Sequence, residues 1–328
     1  MAYKLALCAV AALVAFALTG WFRRAALRRN VVDIPNARSS HTTPTPRGGG
    51  LAFIIAFAAT ITTDAALGGP LSSQSLRLSL AMLVPLVLLG WLDDTRGLSA
   101  TVRLPVHIAV ATLACIALGP MPLPLLPQEG IWSVGAWTVS ILAVTALINF
   151  YNFMDGMDAL VAGTSAVFFT FCAVSMNQPA WILLAAAVVG FLPWNLPPAK
   201  IFMGDAASTF LGGSVALALL HAPFPHATMG MIAVTLPITL DAAYTICRRL
   251  LQLENIFHAH RSHVYQRLHS DAGWSHGRVS LAYAVASIAA AFAVTMWPKF
   301  GPLWCLGGAA LLIALAEARI RAQKLKIR

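Results

Sequence analysis

The stretch from Leu5 to Phe22 is apolar on every face of a helix, as is Ala136 to Ile148, and blocks of this kind recur along the chain with only short polar punctuation. A helix that is hydrophobic all round has no wet side, so lipid is its natural solvent. Soluble domains of this length alternate amphipathic helices with strands. A chain of 328 residues that is 59% hydrophobic and 10% charged, patterned in this way, reads instead as an all-α, polytopic integral membrane protein.

A bilayer core of about 30 Å needs about 20 helical residues, and on that ruler eleven spans are expected, at approximately 3–22, 48–68, 76–92, 103–119, 132–150, 157–175, 180–196, 206–222, 227–247, 279–298 and 301–318. More positive charge follows the first apolar run (Arg23, Arg24, Arg28, Arg29) than precedes it (Lys4). The run therefore reads as an uncleaved span with its N-terminus periplasmic, which leaves the C-terminus cytosolic. With that orientation Arg47, Arg96, Arg103, Arg248, Arg249, Arg261, Arg267 and the basic tail gather on the cytosolic side, and Lys4, Arg77 and Lys299 remain outside. The formal charge of +10 is then explained by topology and anionic headgroups, with no nucleic acid implied. Cys8, Cys115, Cys172, Cys247 and Cys305 are scattered within or beside apolar runs and read as small core residues.

Three acidic motifs interrupt this pattern: Asp93-Asp94, then Asn149, Asn152, Asp155 and Asp158 at intervals of three, then Phe202-Met-Gly-Asp205. Carboxylates at membrane depth are costly without a partner, a water-filled cavity or a metal. The expected topology puts all three motifs on the cytosolic side, together with the stretch containing His258, His260, Arg261 and His263. The chain is thus expected to be a single domain, 1–328, whose loops 23–47, 93–102, 150–157, 197–205 and 248–278 form one working face. Asp and Asn at span ends are also common caps and loop residues, and a proton relay is the other functional reading. Carboxylates with an amide are what Mg²⁺ takes, with Mn²⁺ as an alternative. The three-residue spacing would set Asn149, Asn152, Asp155 and Asp158 on one face of a helical turn, with Asp205 capping the helix that follows it. Arg261 suits bidentate contact with phosphate, and His260 and His263 suit hydrogen bonding to it.

Gly90-Trp-Leu-Asp-Asp94, Asn149 to Asp158 and Phe202-Met-Gly-Asp205 together resemble the polyprenyl-phosphate N-acetylhexosamine-1-phosphate transferases, and the likeness runs from Asp33-Ile-Pro-Asn36 to the histidine loop. Asp33 to His41, followed by Pro44-Thr-Pro-Arg-Gly-Gly-Gly50, is most similar to the O-antigen-type branch, which uses GlcNAc or 6-deoxy sugars such as FucNAc and QuiNAc. The same stretch also reads simply as a Pro- and Gly-punctuated connector. The resemblance implies a bacterial inner-membrane enzyme that transfers the sugar 1-phosphate of a UDP-N-acetyl sugar to undecaprenyl phosphate amid membrane lipid, with UMP leaving and with a homodimer as an option. It implies that Asp205 and Asn152 hold Mg²⁺, that Asp158 faces uracil, and that Phe202 stacks on the uracil ring. Asn149 and the histidine loop belong to the implied substrate site. Arg103 stands where the family often has a lysine for the lipid phosphate. Asp93 is implied as base or positioning group, supported by Asp94 and Asp155. Two departures are Gly97, where some members carry a third acidic residue, and Ala159, where members often have glycine.

The rival readings are a proton-coupled transporter with Asp155, Asp158 and Asp241 as its relay, and a non-catalytic membrane partner in glycan assembly.

Overall fold

The computed structural model describes residues 1–35, 43–124, 126, 129–131, 133–255 and 260–327. Its helices are α1 (Ala2–Arg28), α2 (Leu51–Ala66), α3 (Gln74–Ala81), α4 (Val84–Arg96), α5 (Ala100–Leu118), α6 (Ser133–Met154), α7 (Leu160–Ser175), α8 (Trp181–Asn195), α9 (Asp205–Leu220), α10 (Pro225–Leu251), α11 (Val264–Ser270), α12 (His276–Met296) and α13 (Gly301–Ile327). Among the described residues, seven segments are long and apolar enough to cross a membrane, with α3 and α4 forming one of them. Four shorter apolar helices, α2, α7, α8 and α9, complete the eleven expected segments.

Of the short helices, α7, α8 and α9 lie largely inside, while α2 keeps one face outward, with Ile55 exposed. From Ala206 to Leu220 every residue of α9 is buried, because its face-to-face run of Ala, Gly, Ser and Leu admits close neighbours on all sides. It packs chiefly against α4 and α6, while α8 packs between α1 and α7. Phe53 of α2 meets Phe191 of α8 at 5.5 Å between ring centroids, and Phe169 of α7 stacks on Trp181 of α8 at 5.2 Å. By contrast α12 and α13 present Leu281, Val285, Ile288, Phe292, Leu303 and Leu311 outward, as lipid-facing helices do.

Two features of the loops were not expected. The connector between α1 and α2 forms a two-stranded antiparallel ribbon, β1 (Val32–Asp33) with β2 (Thr45–Pro46), pairing Val32 with Pro46 and Asp33 with Thr45. The stretch 248–278 contains the short helix α11. All five expected loops are also shorter than their stated bounds: α1 continues to Arg28, α6 to Met154 and α10 to Leu251, α9 begins at Asp205, and Asp93 and Asp94 still belong to the last turn of α4.

Candidate active site

The site begins with backbone pairing at one end of the bundle. Phe202 donates its N–H to the Pro46 carbonyl (2.8 Å), Gly49 donates to Phe202 O (2.9 Å), and Gly50 donates to Met203 O (3.0 Å). A Cβ on Gly50 would lie 2.2 Å from that of Ala207, so only glycine permits this approach. The Arg-Gly-Gly-Gly segment is thereby clasped to the residues preceding α9, and Arg47 is delivered to the acidic motifs. Its Nε lies 2.7 Å from Asp94 Oδ1 and its Nη2 lies 2.8 Å from Asp205 Oδ1. Burial works against its charge, yet the carboxylates of Asp205, Asp94 and Asp33 push the guanidinium pKa up, so it stays a cation.

Asp205 is the first residue of α9 and does not cap the helix. The cap comes from α4: Asp94 accepts hydrogen bonds from the N–H groups of Asp205 (2.9 Å) and Ala206 (3.3 Å). These are the orphan donors at a helix N-terminus, where negative charge is favoured. The two helices can meet so closely because Gly90 has no side chain; a Cβ there would fall 2.4 Å from Ala206 Cα. Asp93, one position earlier, faces the α4–α5 turn, where it accepts from Leu98 N (2.6 Å) and Arg103 Nη1 (2.6 Å). Arg103 also lies 4.0 Å from Asp205 Oδ2. Asp93, Arg103, Asp205, Arg47 and Asp94 form a continuous chain of alternating charges.

The residues spaced by three do not share one helical face. The chain leaves α6 after Met154 and re-enters helix at Leu160 through Ala159, whose φ of +60° is left-handed. Glycine, which the resemblance leads one to expect at this position, would take that conformation without strain. Asn149 and Asn152 remain on α6. Asn149 faces the buried His107 of α5 at 3.3 Å, and Asn152 donates to Ser208 of α9 at 3.1 Å, one turn from Asp205. Asp158 turns the other way, accepting from Ala199 N (3.1 Å) and lying 3.3 Å from His276 Nδ1 at the start of α12. Asp155, between them, donates its backbone N–H to Asn152 O (3.3 Å), while its side chain forms no hydrogen bond or ion pair among the described residues. Burial and the nearby carboxylates of Asp205, Asp94 and Asp158 push its pKa well above the usual range, against the pull of Arg47.

The histidine loop packs on the same turn, since Tyr265 Oη donates to Phe153 O at 3.1 Å and the rings of Phe153 and His263 lie 6.4 Å apart. His263 is buried, with its ring 5.0 Å from that of His260 and its Nδ1 3.6 Å from Asp241. His260 bonds to Ser262 Oγ (2.9 Å); burial, with His263, Arg249 and Arg248 adding to it, pulls its pKa down to about 4, so it is neutral at pH 7. Arg261 is half-buried beside them, and His258 lies outside the described residues. Asp241 accepts from Val264 N, Tyr265 N, Thr245 Oγ1 and Tyr283 Oη, at 2.5 to 3.2 Å. Both its oxygens are taken, so it caps α11 and is the buried partner near the loop that one reading of the sequence allowed.

A family model described as glycosyl transferase family 4 matches residues 76–222. The decaprenyl-phosphate N-acetylglucosaminephosphotransferase of Mycolicibacterium smegmatis is 30% identical, with 94% of this chain and 86% of that protein covered. The chain belongs to the polyprenyl-phosphate N-acetylhexosamine-1-phosphate transferase family. It is also similar to a probable undecaprenyl-phosphate N-acetylglucosaminyl 1-phosphate transferase of Bacillus subtilis (29% identical, 79% and 75% covered). A phospho-N-acetylmuramoyl-pentapeptide-transferase of Lactiplantibacillus plantarum is 30% identical, with 76% and 83% covered. The names of these relatives carry two different sugars, so membership establishes a membrane transferase of the phospho-sugar type and leaves the sugar to the individual pocket.

Within this transferase the sequence pattern gave no site role to Arg47, which entered only through the charge of its loop and the Pro- and Gly-punctuated motif around it, or to His107 and His276, single histidines with no motif around them. For Arg47 a signal was present: an arginine directly before three glycines sits on backbone able to approach another backbone closely. Phe202 is half-buried at the clasp, beside the network.

Proposed function

We propose that this transferase moves an N-acetylhexosamine 1-phosphate from a UDP-sugar to undecaprenyl phosphate at the cytosolic face of a bacterial inner membrane, releasing UMP. The observation that carries the reading is the convergence of Arg47, Asp94, Asp205, Arg103 and Asp93 at one end of the bundle, with Asn152 and Asp155 alongside. Phosphoryl transfer asks a protein mainly to position its reactants and neutralise charge, and alternating arginines and carboxylates do both.

The donor set suits Mg²⁺. It is made of oxygens, from Asp205 and the Asn152 amide, and no group of three or more His, Cys, Asp or Glu among the described residues could hold a metal by itself. Mg²⁺ takes one or two carboxylates plus substrate phosphates, so a sparse protein share fits it, with Mn²⁺ as a substitute. When bound, the cation would supply charge neutralisation for the diphosphate and the departing UMP.

The chain's own residues divide the remaining work. Arg103 is held by Asp93 and reaches the acceptor phosphate. Asp93 acts as a positioning group, because both its oxygens are engaged and a phosphate monoester, with a second pKa near ~6, is already mostly dianionic at neutral pH. Asp94 holds the start of α9, and with it Asp205. Phe202 and Asp158 take the uracil, while His260, Arg261 and His263 add donors at the phosphates. In this reading the donor is UDP-GlcNAc or a 6-deoxy relative such as UDP-FucNAc or UDP-QuiNAc, and the product begins an O-antigen or related surface glycan.

Membranes containing the protein, incubated with Mg²⁺, undecaprenyl phosphate and each UDP-sugar labelled at the β-phosphate, are expected to move label into the lipid phase with at least one donor. The Asp205→Ala protein is expected not to. Lipid label at equal levels in both, or in neither with any donor, refutes the reading.

A further inference from the structure

The two carboxylates bridged by Arg47 are neutralised in different ways. Asp94 also receives two peptide N–H groups from the start of α9. Asp205 receives none: its side chain is met by Arg47 at 2.8 Å and Arg103 at 4.0 Å, and it shares a side-chain contact with the Asp93 carboxyl. Arg47 sits between Pro46 and Gly49, both held in the clasp to Phe202, while its side chain keeps 33% of its surface exposed. The guanidinium can therefore leave Asp205 without leaving Asp94 or disturbing the loop.

We propose that Arg47 is a built-in counter-ion for Asp205, which gives up that carboxylate when the divalent cation arrives and then binds the donor's diphosphate. The proposal rests on the reading of Asp205 as a cation ligand. Two positive groups on one carboxylate repel each other, so Arg47 lowers the affinity of the empty site for a cation. A diphosphate offers the displaced guanidinium a planar, bidentate partner. Cation and nucleotide then favour each other's binding, and by linkage the coupling is reciprocal. A site built this way stays neutralised until both arrive.

The test uses the purified full-length protein and Mn²⁺ alone, titrated by the electron paramagnetic resonance signal of the free ion. Arg47→Gln is expected to bind Mn²⁺ about five-fold or more tightly than the parent, the lower end of measured site-to-site couplings. At saturating Mn²⁺, the same variant is expected to bind UDP more weakly by a similar factor. Arg47→Lys, which keeps the charge without the two-pronged bridge, should fall between the two, and Arg96→Gln controls for loss of an exposed charge nearby. Melting curves establish that each variant is folded. Unchanged or weaker Mn²⁺ binding in a folded Arg47→Gln would overturn the proposal and leave Arg47 as a structural clamp. If the parent binds no Mn²⁺ with or without UDP, and Asp205→Asn behaves the same, the cation reading of Asp205 fails with it.

Discussion

Helix α2 has an acidic centre near each end, and the two are built in opposite ways. Near its C-terminus Asp64 is completely buried and accepts from Tyr3 Oη (3.0 Å), Ser72 N (2.9 Å), Ser72 Oγ (3.0 Å) and Leu71 N (3.4 Å). Near its N-terminus the Arg-Gly-Gly-Gly segment carries Arg47 to Asp94 and Asp205, whose charges are balanced largely by guanidinium groups. Neutral donors supplied by peptide and hydroxyl groups cannot leave, so Asp64 has a permanent environment. A guanidinium on a flexible arm can leave, and a carboxylate neutralised that way is available to a cation or a substrate. The kind of partner, more than the degree of burial, separates the structural acid from the candidate catalytic one. Asp241, with four peptide and hydroxyl donors beside His263, stands nearer to Asp64.

The largest test of this contrast is Asp205→Asn. It should lower transfer by on the order of 10²–10³, the usual cost of losing one charge-stabilising group, with no drop in melting temperature. Asp64→Ala should do the reverse, losing about 1–3 kcal/mol because its donors are left unpaired, at roughly 2–4 °C per kcal/mol for a protein of this size or somewhat smaller. Transfer measured below the melting point should stay near the parental rate. If the two variants melt alike, the distinction collapses.

A smaller effect is expected from Asp155, which sits among carboxylates with its pKa pushed above the usual range. A carboxyl group with a raised folded-state pKa holds its proton longer when folded, so stability falls as pH rises from the ordinary aspartate value through the raised one. Asp155→Asn removes that loss. Its melting temperature, without divalent cations, should match the parent's at acidic pH and exceed it progressively as the pH increases; a constant difference would mean that the neighbouring charges do not act on Asp155. The smallest effect is that of Ala159→Gly, which relieves a left-handed alanine and should stabilise by about 0.5–1 kcal/mol after the added freedom of the unfolded chain is counted. Activity should not change, as the Ala159 methyl is buried away from the charged network.

Much of this molecule is legible in one dimension because lipid imposes a simple rule. A segment must be apolar and long enough, so all eleven apolar segments can be read from composition and length, with α2, α7, α8 and α9 the shorter ones. The motif residues were likewise visible, since a carboxylate beside an apolar run stands out. Their partners were not. The three-residue spacing from Asn149 to Asp158 suggested a single helical face, yet the left-handed Ala159 and the packing of Tyr265 on Phe153 turn Asp158 towards His276 and away from Asn152.

What the sequence determined by itself is the class of solvent, the number of apolar segments and the residue types offered to the chemistry, because these depend on local hydrophobicity and on which side chains are present. Only the tertiary structure decided that Asp94 caps α9, that Asp93 is spent on the α4–α5 turn, and that Arg47 lies on Asp205. The contacts of Asp94 and Arg47 join residues far apart in the chain, and they follow from how closely glycine lets two backbones approach, a property of the packed pair that neither segment carries alone.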